Sequence, residues 1–254
     1  MCELISLDLD GTLLTSEKNI SKRTIKILKK CEKVGKKIVI ATARPPRLVR
    51  DLLPNELKNK FLICYNGAEI YKNGEKIYEE TISESSLRKI LNFFSVKYPE
   101  IILSVEIDDC LYSNKRVEKL FGNIDYEVVD FEEFKLSPAA KVLVDLSNIN
   151  NYEMIFDNLP SDCSMVVTDD GVLGQIMNKK VSKLNALKSI LHKWEIRMKD
   201  VIAFGDDYND IGIIEESGKG IAMENAVLEL KENADFITKS NDEDGVAFYL
   251  EELF

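Results

Sequence analysis

The sequence predicts an α/β protein, a doubly wound parallel sheet interrupted by an inserted α+β unit. Three observations carry this. Near both ends of the chain, short apolar runs that read as buried strands alternate with stretches of helical period. Between about Ile82 and Val181 the strand-like pieces crowd together and the pattern changes character. The length of 254 residues is long for one domain and comfortable for two of unequal size. The expected division is a core of residues 1–81 with 182–254 and an insert of residues 82–181.

The elements follow in order. In "ELISLDLDGTLLTSE" (Glu3–Glu17), Leu4, Ile5, Leu7 and Leu9 form an apolar run that Gly11 ends, which predicts a buried strand. Ser21 can cap a helix whose apolar positions are Ile25, Leu28 and Cys31, with Val34 following. "KKIVIATARPP" reads as a strand ending near Ala41–Thr42, then a helix begun by Pro45 and Pro46. In "KFLICYNGAEIYKNGEKIYEE" a strand precedes a hairpin turned at Asn73-Gly74. The insert supplies "ILSVEIDDCLYSN", "IDYEVVDF", "AAKVLVDLSN" and "CSMVVTDDGVLGQIM" as strands, with helices between. Ser182 can then cap a helix carrying Leu184, Leu187, Leu191 and Trp194 on one stripe. "VIAFGDDYND", "KGIAM" and "ADFIT" are three further strands, the first running into an aspartate-rich turn and the other two each followed by a helical segment.

Composition narrows the function classes. Net charge is −10, so nucleic acid and anionic membrane are expected to be no partners. No apolar run approaches the ~18 residues of a membrane span, and "MCELISLDLD" lacks the basic start of a signal peptide. Five scattered cysteines without a C-x-x-C pair suggest buried thiols in a reducing cytosol, hence a cytoplasmic protein. The one histidine, His192 in "KSILHKWE", reads as a helix-surface residue, which leaves no histidine-rich zinc site. No G-x-S-x-G elbow is present.

In an open parallel sheet, ligands sit beyond the carboxyl ends of the strands. Three such ends carry polar groups: Asp8 and Asp10 at one, Thr42 at another, and Asp206, Asn209 and Asp210 at a third. If Asp8 and Asp10 continue the strand they share a face, roughly 6.6 Å apart. Two such charges repel by roughly 2–3 kcal/mol at an effective dielectric of 20. A solvated turn would tolerate that repulsion; otherwise a proton, a basic side chain or a cation must offset it. Several carboxylates on one edge point to a cation, and a sparse set of oxygen ligands suits magnesium. "DLDGTLLTSEKN" lacks the ligand pattern and mid-loop glycine of an EF-hand. Lys183 opens a predicted helix, where the macrodipole disfavours a cation. It is either a solvated lysine beside Lys179 and Lys180 or a grip on an anion at a helix start.

Taken together, D-x-D-G-T-L-L at the N-terminus, Thr-x-Arg after the second strand, a lysine opening a late helix, and G-D-x-x-N-D resemble the haloacid dehalogenase superfamily, more narrowly its Cof-type phosphatases. "VSKLNAL", "GKGIAMENA" and "LKENADFITKSNDEDGVA" extend the resemblance through the tail. It implies a Rossmann-like core with an inserted α+β cap that sets substrate specificity. The short polar junctions "EETISESS" and "NKKVSK", with every candidate catalytic residue outside the insert, predict that residues near 82–181 move as a lid. The resemblance implies hydrolysis of phosphomonoesters of small phosphorylated metabolites, sugar phosphates or similar, through an aspartyl-phosphate. Asp8 matches the nucleophile and Asp10 the general acid, whose pKa neighbouring carboxylates and an arriving dianion are expected to raise. Thr42, Ala43, Arg44, Lys183 and Asn209 match phosphate or substrate contacts. Asp8, Asp10 through its carbonyl, Asp206 and Asp210 match the Mg2+ site. The expected assembly is a monomer or weak homo-oligomer.

Three positions depart from the family's pattern. Ala43 and Leu184 stand where glycine is frequent, and Gln175 stands near a position often acidic. Asp109, Tyr112 and Lys141 are the candidate substrate contacts of the cap. The same catalytic residues would serve a phosphomutase, and a silent phosphometabolite-binding module is the rival outside enzymes.

Overall fold

The structure, a computed structural model, describes residues 2–122, 124–149 and 151–254. The chain begins with β1 (Leu4–Asp8), α1 (Lys22–Lys33), β2 (Lys37–Ala41), α2 (Pro46–Leu52), β3 (Phe61–Cys64), β4 (Glu69–Lys72) and β5 (Glu75–Glu79). Then come α3 (Glu84–Lys97), β6 (Leu103–Ile107), β7 (Cys110–Ser113), α4 (Glu118–Phe121), β8 (Glu127–Val128), β9 (Lys141–Asp145), α5 (Glu153–Asn158), β10 (Cys163–Thr168) and β11 (Leu173–Asn178). The last stretch holds α6 (Lys183–Trp194), β12 (Val201–Gly205), α7 (Ile211–Glu216), β13 (Lys219–Ala222), α8 (Leu228–Asn233), β14 (Phe236–Ile237) and α9 (Gly245–Leu253). Two compact units result: Met1–Tyr78 with Ser182–Phe254, and Glu79–Val181.

The first unit is built on an eight-stranded sheet of order β14-β13-β12-β1-β2-β3-β4-β5. β1 pairs in parallel with both β2 and β12, Leu4 lying opposite Lys37 on one side and Val201 on the other. All five β1 residues are buried, the continuous apolar reading of a strand covered on both faces. The chain steps outward through β2 and β3 and later outward the other way through β12, β13 and β14. The winding therefore reverses at β1, and the crevice between β1 and β12 is the topological switch point. β4 runs antiparallel to β3, and the β4–β5 hairpin turns at Asn73 (φ 52°) and Gly74 (φ 83°), as Asn-Gly predicts.

Ser21 caps α1 by accepting from the Thr24 amide, and Ser182 caps α6 by accepting from the Asn185 amide. The buried face of α1 is Thr24, Ile27, Leu28 and Cys31, whereas Ile25 is half-buried and Val34 exposed. The expected stripe was thus rotated by part of a turn, because Thr24 and Ile27 complete the i, i+3, i+4, i+7 set. On α6 the buried residues are Lys183, Ala186, Leu187, Ile190 and Leu191, so a lysine lies within the apolar stripe. His192 is exposed, on the helix surface.

The second unit holds a six-stranded sheet of order β10-β11-β9-β6-β7-β8, antiparallel except for β7 with β8. Leu87, Ile90, Leu91 and Phe94 of α3 join Val105, Val142, Val144 and Ile176 in one apolar core. By the alternation of a strand, Ser104, Glu106, Lys141 and Gln175 occupy the opposite face. Lys141 is buried and donates to Gln175 Oε1 at 2.7 Å, and Gln175 donates to Thr168 Oγ1 at 2.9 Å. Tyr112 packs on Phe134 with ring centroids 4.6 Å apart, and Asp109 sits in the β6–β7 turn at φ 63°.

All five cysteines are free thiols; Cys31, Cys64 and Cys163 are buried, while Cys2 is half-buried and Cys110 exposed. Among the described residues, no helix is long and apolar enough to cross a membrane.

Candidate active site

β1 ends at Asp8, β2 at Ala41 and β12 at Gly205, so adjacent strands deliver Asp8, Thr42 and Asp206 to one edge of the sheet. The turn after β12 carries Asp207 to Asp210. Asp210 Oδ2 accepts from the amides of Asp206 and Asp207 at 3.2 and 3.3 Å, which closes the turn around its own carboxylate. Asp207 is exposed.

Lys183 ties this edge together. It is 1% exposed, in the first turn of α6, and its Nζ donates to Asp8 Oδ1 at 2.5 Å, Asp210 Oδ1 at 2.7 Å and Asn209 Oδ1 at 3.2 Å. All three ammonium protons therefore have acceptors. Burial alone would pull the Lys183 pKa down, but the Asp210 and Asp8 carboxylates overcome it and hold the ammonium above its ordinary range. Of the two readings open from sequence, the solvated lysine is excluded.

Asp8 is 6% exposed, and burial pushes its carboxyl well above the ordinary range against the pull of Lys183. Asp206 is pushed up to about 6, chiefly by burial, with the Thr12 hydroxyl opposing and Asp210 adding to the rise. Thr12 Oγ1 donates to Asp206 Oδ1 at 2.9 Å. Gly11 stands at φ +74°, and a Cβ there would run into the Asp206 carboxylate, so glycine both makes the turn and leaves room for that side chain.

Ligand oxygens of Asp8, Asp206 and Asp210 lie within 4.8 Å of one another, a grouping able to hold a cation. The donors are hard carboxylate oxygens, without thiolate or imidazole, which suits magnesium or a similar oxygen-seeking ion better than zinc. One ammonium faces three carboxylates here, so a cation also fits the charge balance.

The Asp10 side chain has other partners. The strand ends at Asp8, so the i, i+2 rule no longer places Asp10 beside it. Arg44 grips Asp10 at two points, Nε to Oδ2 and one terminal nitrogen to Oδ1, both 2.6 Å, and Lys18 Nζ donates to Oδ1 at 2.9 Å. Burial raises the Asp10 pKa, but hydrogen bonds from Arg44 and Lys18 outweigh it and hold the carboxyl below its ordinary range. The raised pKa expected from sequence is thus reversed, because two cations rather than carboxylates surround the group. The Asp10 carboxylate stands outside the Asp8–Asp206–Asp210 grouping.

Thr42 is buried, and its Oγ1 accepts from the Arg44 amide at 3.1 Å, which fixes the hydroxyl at the head of the Thr42–Ala43–Arg44 loop. The sequence reading brought Asp8, Thr42, Lys183, Asp206, Asn209 and Asp210 to this edge. It missed Thr12, Lys18 and Asn66, whose Oδ1 accepts from Asn209 Nδ2 at 2.9 Å. Thr12 was findable as a hydroxyl beside the D-x-D pair, and Asn66 as a polar residue closing an apolar strand at the same edge.

The profile of the haloacid dehalogenase-like hydrolase family matches residues 5–250. The 5-amino-6-(5-phospho-D-ribitylamino)uracil phosphatase YcsE of Bacillus subtilis is 30% identical over 247 residues, spanning 96% of this chain and 93% of the relative. Phosphatase YwpJ of the same organism is 27% identical and covers 99% of each chain. The crystal structure of TM0651 from Thermotoga maritima matches with a TM-score of 0.88 at 27% identity, covering 99% of this chain and 97% of that one. The chain belongs to the haloacid dehalogenase-like hydrolases, with the fold of that family. Within them it stands with the Cof-type phosphatases, and it is an enzyme of phosphatase type.

Proposed function

We propose that this phosphatase hydrolyses phosphomonoesters of small metabolites with Mg2+ as its cofactor and Asp8 as its nucleophile. One observation carries the reading: a buried ammonium, Lys183, shared by Asp8 and Asp210 at the β1/β12 switch point, with Asp206 completing a hard-oxygen set.

In this reading an Asp8 oxygen attacks phosphorus in line with the ester oxygen. The new P–O bond to Asp8 forms as the bond to the leaving oxygen breaks. Asp10, as a carboxylic acid, gives that oxygen its proton. The resulting carboxylate then takes a proton from water, whose oxygen attacks phosphorus and frees Asp8 and inorganic phosphate. Protonation of Asp10 requires Arg44 and Lys18 to release it, since their charge favours the carboxylate. Lys183 and the Thr42 hydroxyl hold the phosphoryl oxygens. Asp8, Asp206, Asp210 and the Asp10 carbonyl would hold Mg2+, which when bound supplies charge neutralisation between the carboxylates and the phosphoryl group.

The Glu79–Val181 unit contains none of these residues, and we assign it the choice of leaving group. The name of YcsE makes a phosphorylated sugar alcohol on a heterocycle one of the first substrates to try. The test is phosphate release from p-nitrophenyl phosphate and a panel of phosphorylated metabolites, at millimolar Mg2+ and again in EDTA. Turnover that EDTA abolishes is expected. No release from any substrate would overturn the hydrolase reading, and undiminished turnover in EDTA the magnesium reading.

A further inference from the structure

The turn between β3 and β4 has a backbone that sequence rarely adopts. Three successive residues have positive φ: Tyr65 (51°), Asn66 (59°) and Gly67 (109°). Asparagine and glycine tolerate this region, but a bulky tyrosine seldom visits it. Something around the turn must hold it there.

Its contacts reach three separate parts of the active-site edge. The Tyr65 amide donates to the Arg44 carbonyl at 3.1 Å and the Asn66 amide to the Thr42 carbonyl at 3.0 Å. Gly67 lies so close to the Ser182 carbonyl and the Lys183 amide that any Cβ would collide with them. The Asn66 side chain takes the third connection, accepting from Asn209 Nδ2 at 2.9 Å.

That last bond holds in place the amide whose other end faces the buried ammonium. Asn209 offers one oxygen and one NH2 group, and the two ends differ only by a half-turn of the side chain. Lys183 can only donate, so it needs the oxygen. With the NH2 group bonded to Asn66, the oxygen is left facing Lys183, 3.2 Å from Nζ. Without the Asn66 acceptor the oxygen end still suits Lys183, but the NH2 group loses the partner that pins the plane of the amide and its distance from Nζ. We propose that Asn66 is a positioning residue for the phosphatase site: held in left-handed backbone by the Thr42 and Arg44 carbonyls, it sets the Asn209 amide and through it the Lys183 ammonium that would meet the phosphoryl group. The inference rests on the phosphatase reading above.

The test separates backbone from side chain. Asn66→Gly suits positive φ and removes the side-chain amide; Asn66→Asp tolerates the same backbone and keeps an acceptor. Asn66→Gly is expected to lower kcat/KM for p-nitrophenyl phosphate by about tenfold, the loss of one ordinary hydrogen bond to a charged network. It should also shrink the rise in Tm that inorganic phosphate gives at millimolar Mg2+, while Tm without phosphate stays within a few degrees of the parent. Asn66→Asp should restore the phosphate-induced rise in part. In an Asn209→Ala background, Asn66→Gly should add less than about twofold, since its route through Asn209 is already cut. Parent-like kcat/KM and parent-like phosphate response in Asn66→Gly would overturn the proposal. So would Asn66→Gly and Asn209→Ala losses that simply multiply. If the parent turns over no phosphomonoester, the phosphatase reading fails, and the phosphate-induced rise in Tm still decides the role of Asn66.

Discussion

Lys183 Nζ lies 2.5 Å from Asp8 Oδ1, although 175 positions separate the two residues in sequence. The pair joins the first strand to the first helix after the insert, so folding the core and assembling the site are one event. Neither charge could be buried alone; each offsets much of the desolvation of the other.

Lys183→Met keeps the length of the side chain and removes its cation. It leaves Asp8 and Asp210 buried without their partner. Stability in metal-free buffer should fall by about 3–5 kcal/mol, the usual result of breaking a buried pair. Phosphate release should fall by on the order of a hundredfold or more. Urea unfolding and steady-state assays check both; a variant as stable and as active as the parent would remove Lys183 from the centre of the site.

Asp8→Asn tests the nucleophile. The amide keeps an oxygen toward Lys183, so the fold should persist with Tm within a few degrees. Turnover should drop by at least about a thousandfold, since an amide is a poor nucleophile. The comparison is kcat with p-nitrophenyl phosphate under saturating Mg2+. Activity within a few-fold of the parent would assign the attack elsewhere.

Asp206→Ala tests the metal. It removes one carboxylate of a small set and leaves the Thr12 hydroxyl without its acceptor. The Mg2+ concentration for half-maximal activity should rise by at least about tenfold. Ca2+ should inhibit the parent enzyme, because its larger and looser shell spoils in-line geometry. An unchanged Mg2+ requirement in the variant would place the ion elsewhere.

The parts legible in the sequence were those fixed by local pattern. An apolar run with a polar end identified β1, β2 and β12, and Ser21, Ser182 and Asn73-Gly74 marked their caps and turn. That Asp8, Thr42 and Asp206 share one edge followed from where their strands end; the part Lys183 plays there was settled only by the resemblance, because a helix start admits a solvated lysine equally well. The surroundings of Asp10, and with them the direction of its pKa shift, were misjudged for a physical reason: the alternation rule holds only while the strand lasts, and the strand stops at Asp8. Its partners Arg44 and Lys18 come from loops, where no period predicts direction. The Tyr65–Gly67 turn was passed over although Asn66-Gly67 is a turn dipeptide, because Asn73-Gly74 already supplies a turn for that stretch; nothing in the sequence shows that its amides bond carbonyls of another loop.

The final prediction concerns pH and the second unit. Lys141 lies on the sheet face away from the apolar core, opposite Glu106 in the β6–β9 register. Burial lowers its pKa from an ordinary 10.5 to about 8, with Glu106 opposing the fall. Below pH 8 the folded and unfolded chains both carry the proton, and the fold bears the full cost of a buried ammonium. Between pH 8 and 10.5 the folded chain gives up its proton first, so the unfolded chain binds more protons and stability rises with pH. Above 10.5 both forms are neutral and the gain is complete, at about 3 kcal/mol over the whole window. Lys141→Met removes this titration. It also leaves Glu106 and Gln175 Oε1 without the ammonium, so the variant should be less stable than the parent at pH 7. The decisive quantity is the difference in unfolding free energy between parent and variant, measured by urea denaturation at pH 7.5, 9 and 10.5. That difference should move steadily toward the parent as pH rises. A difference independent of pH across the window would mean that Lys141 keeps an ordinary lysine pKa, with water reaching its ammonium.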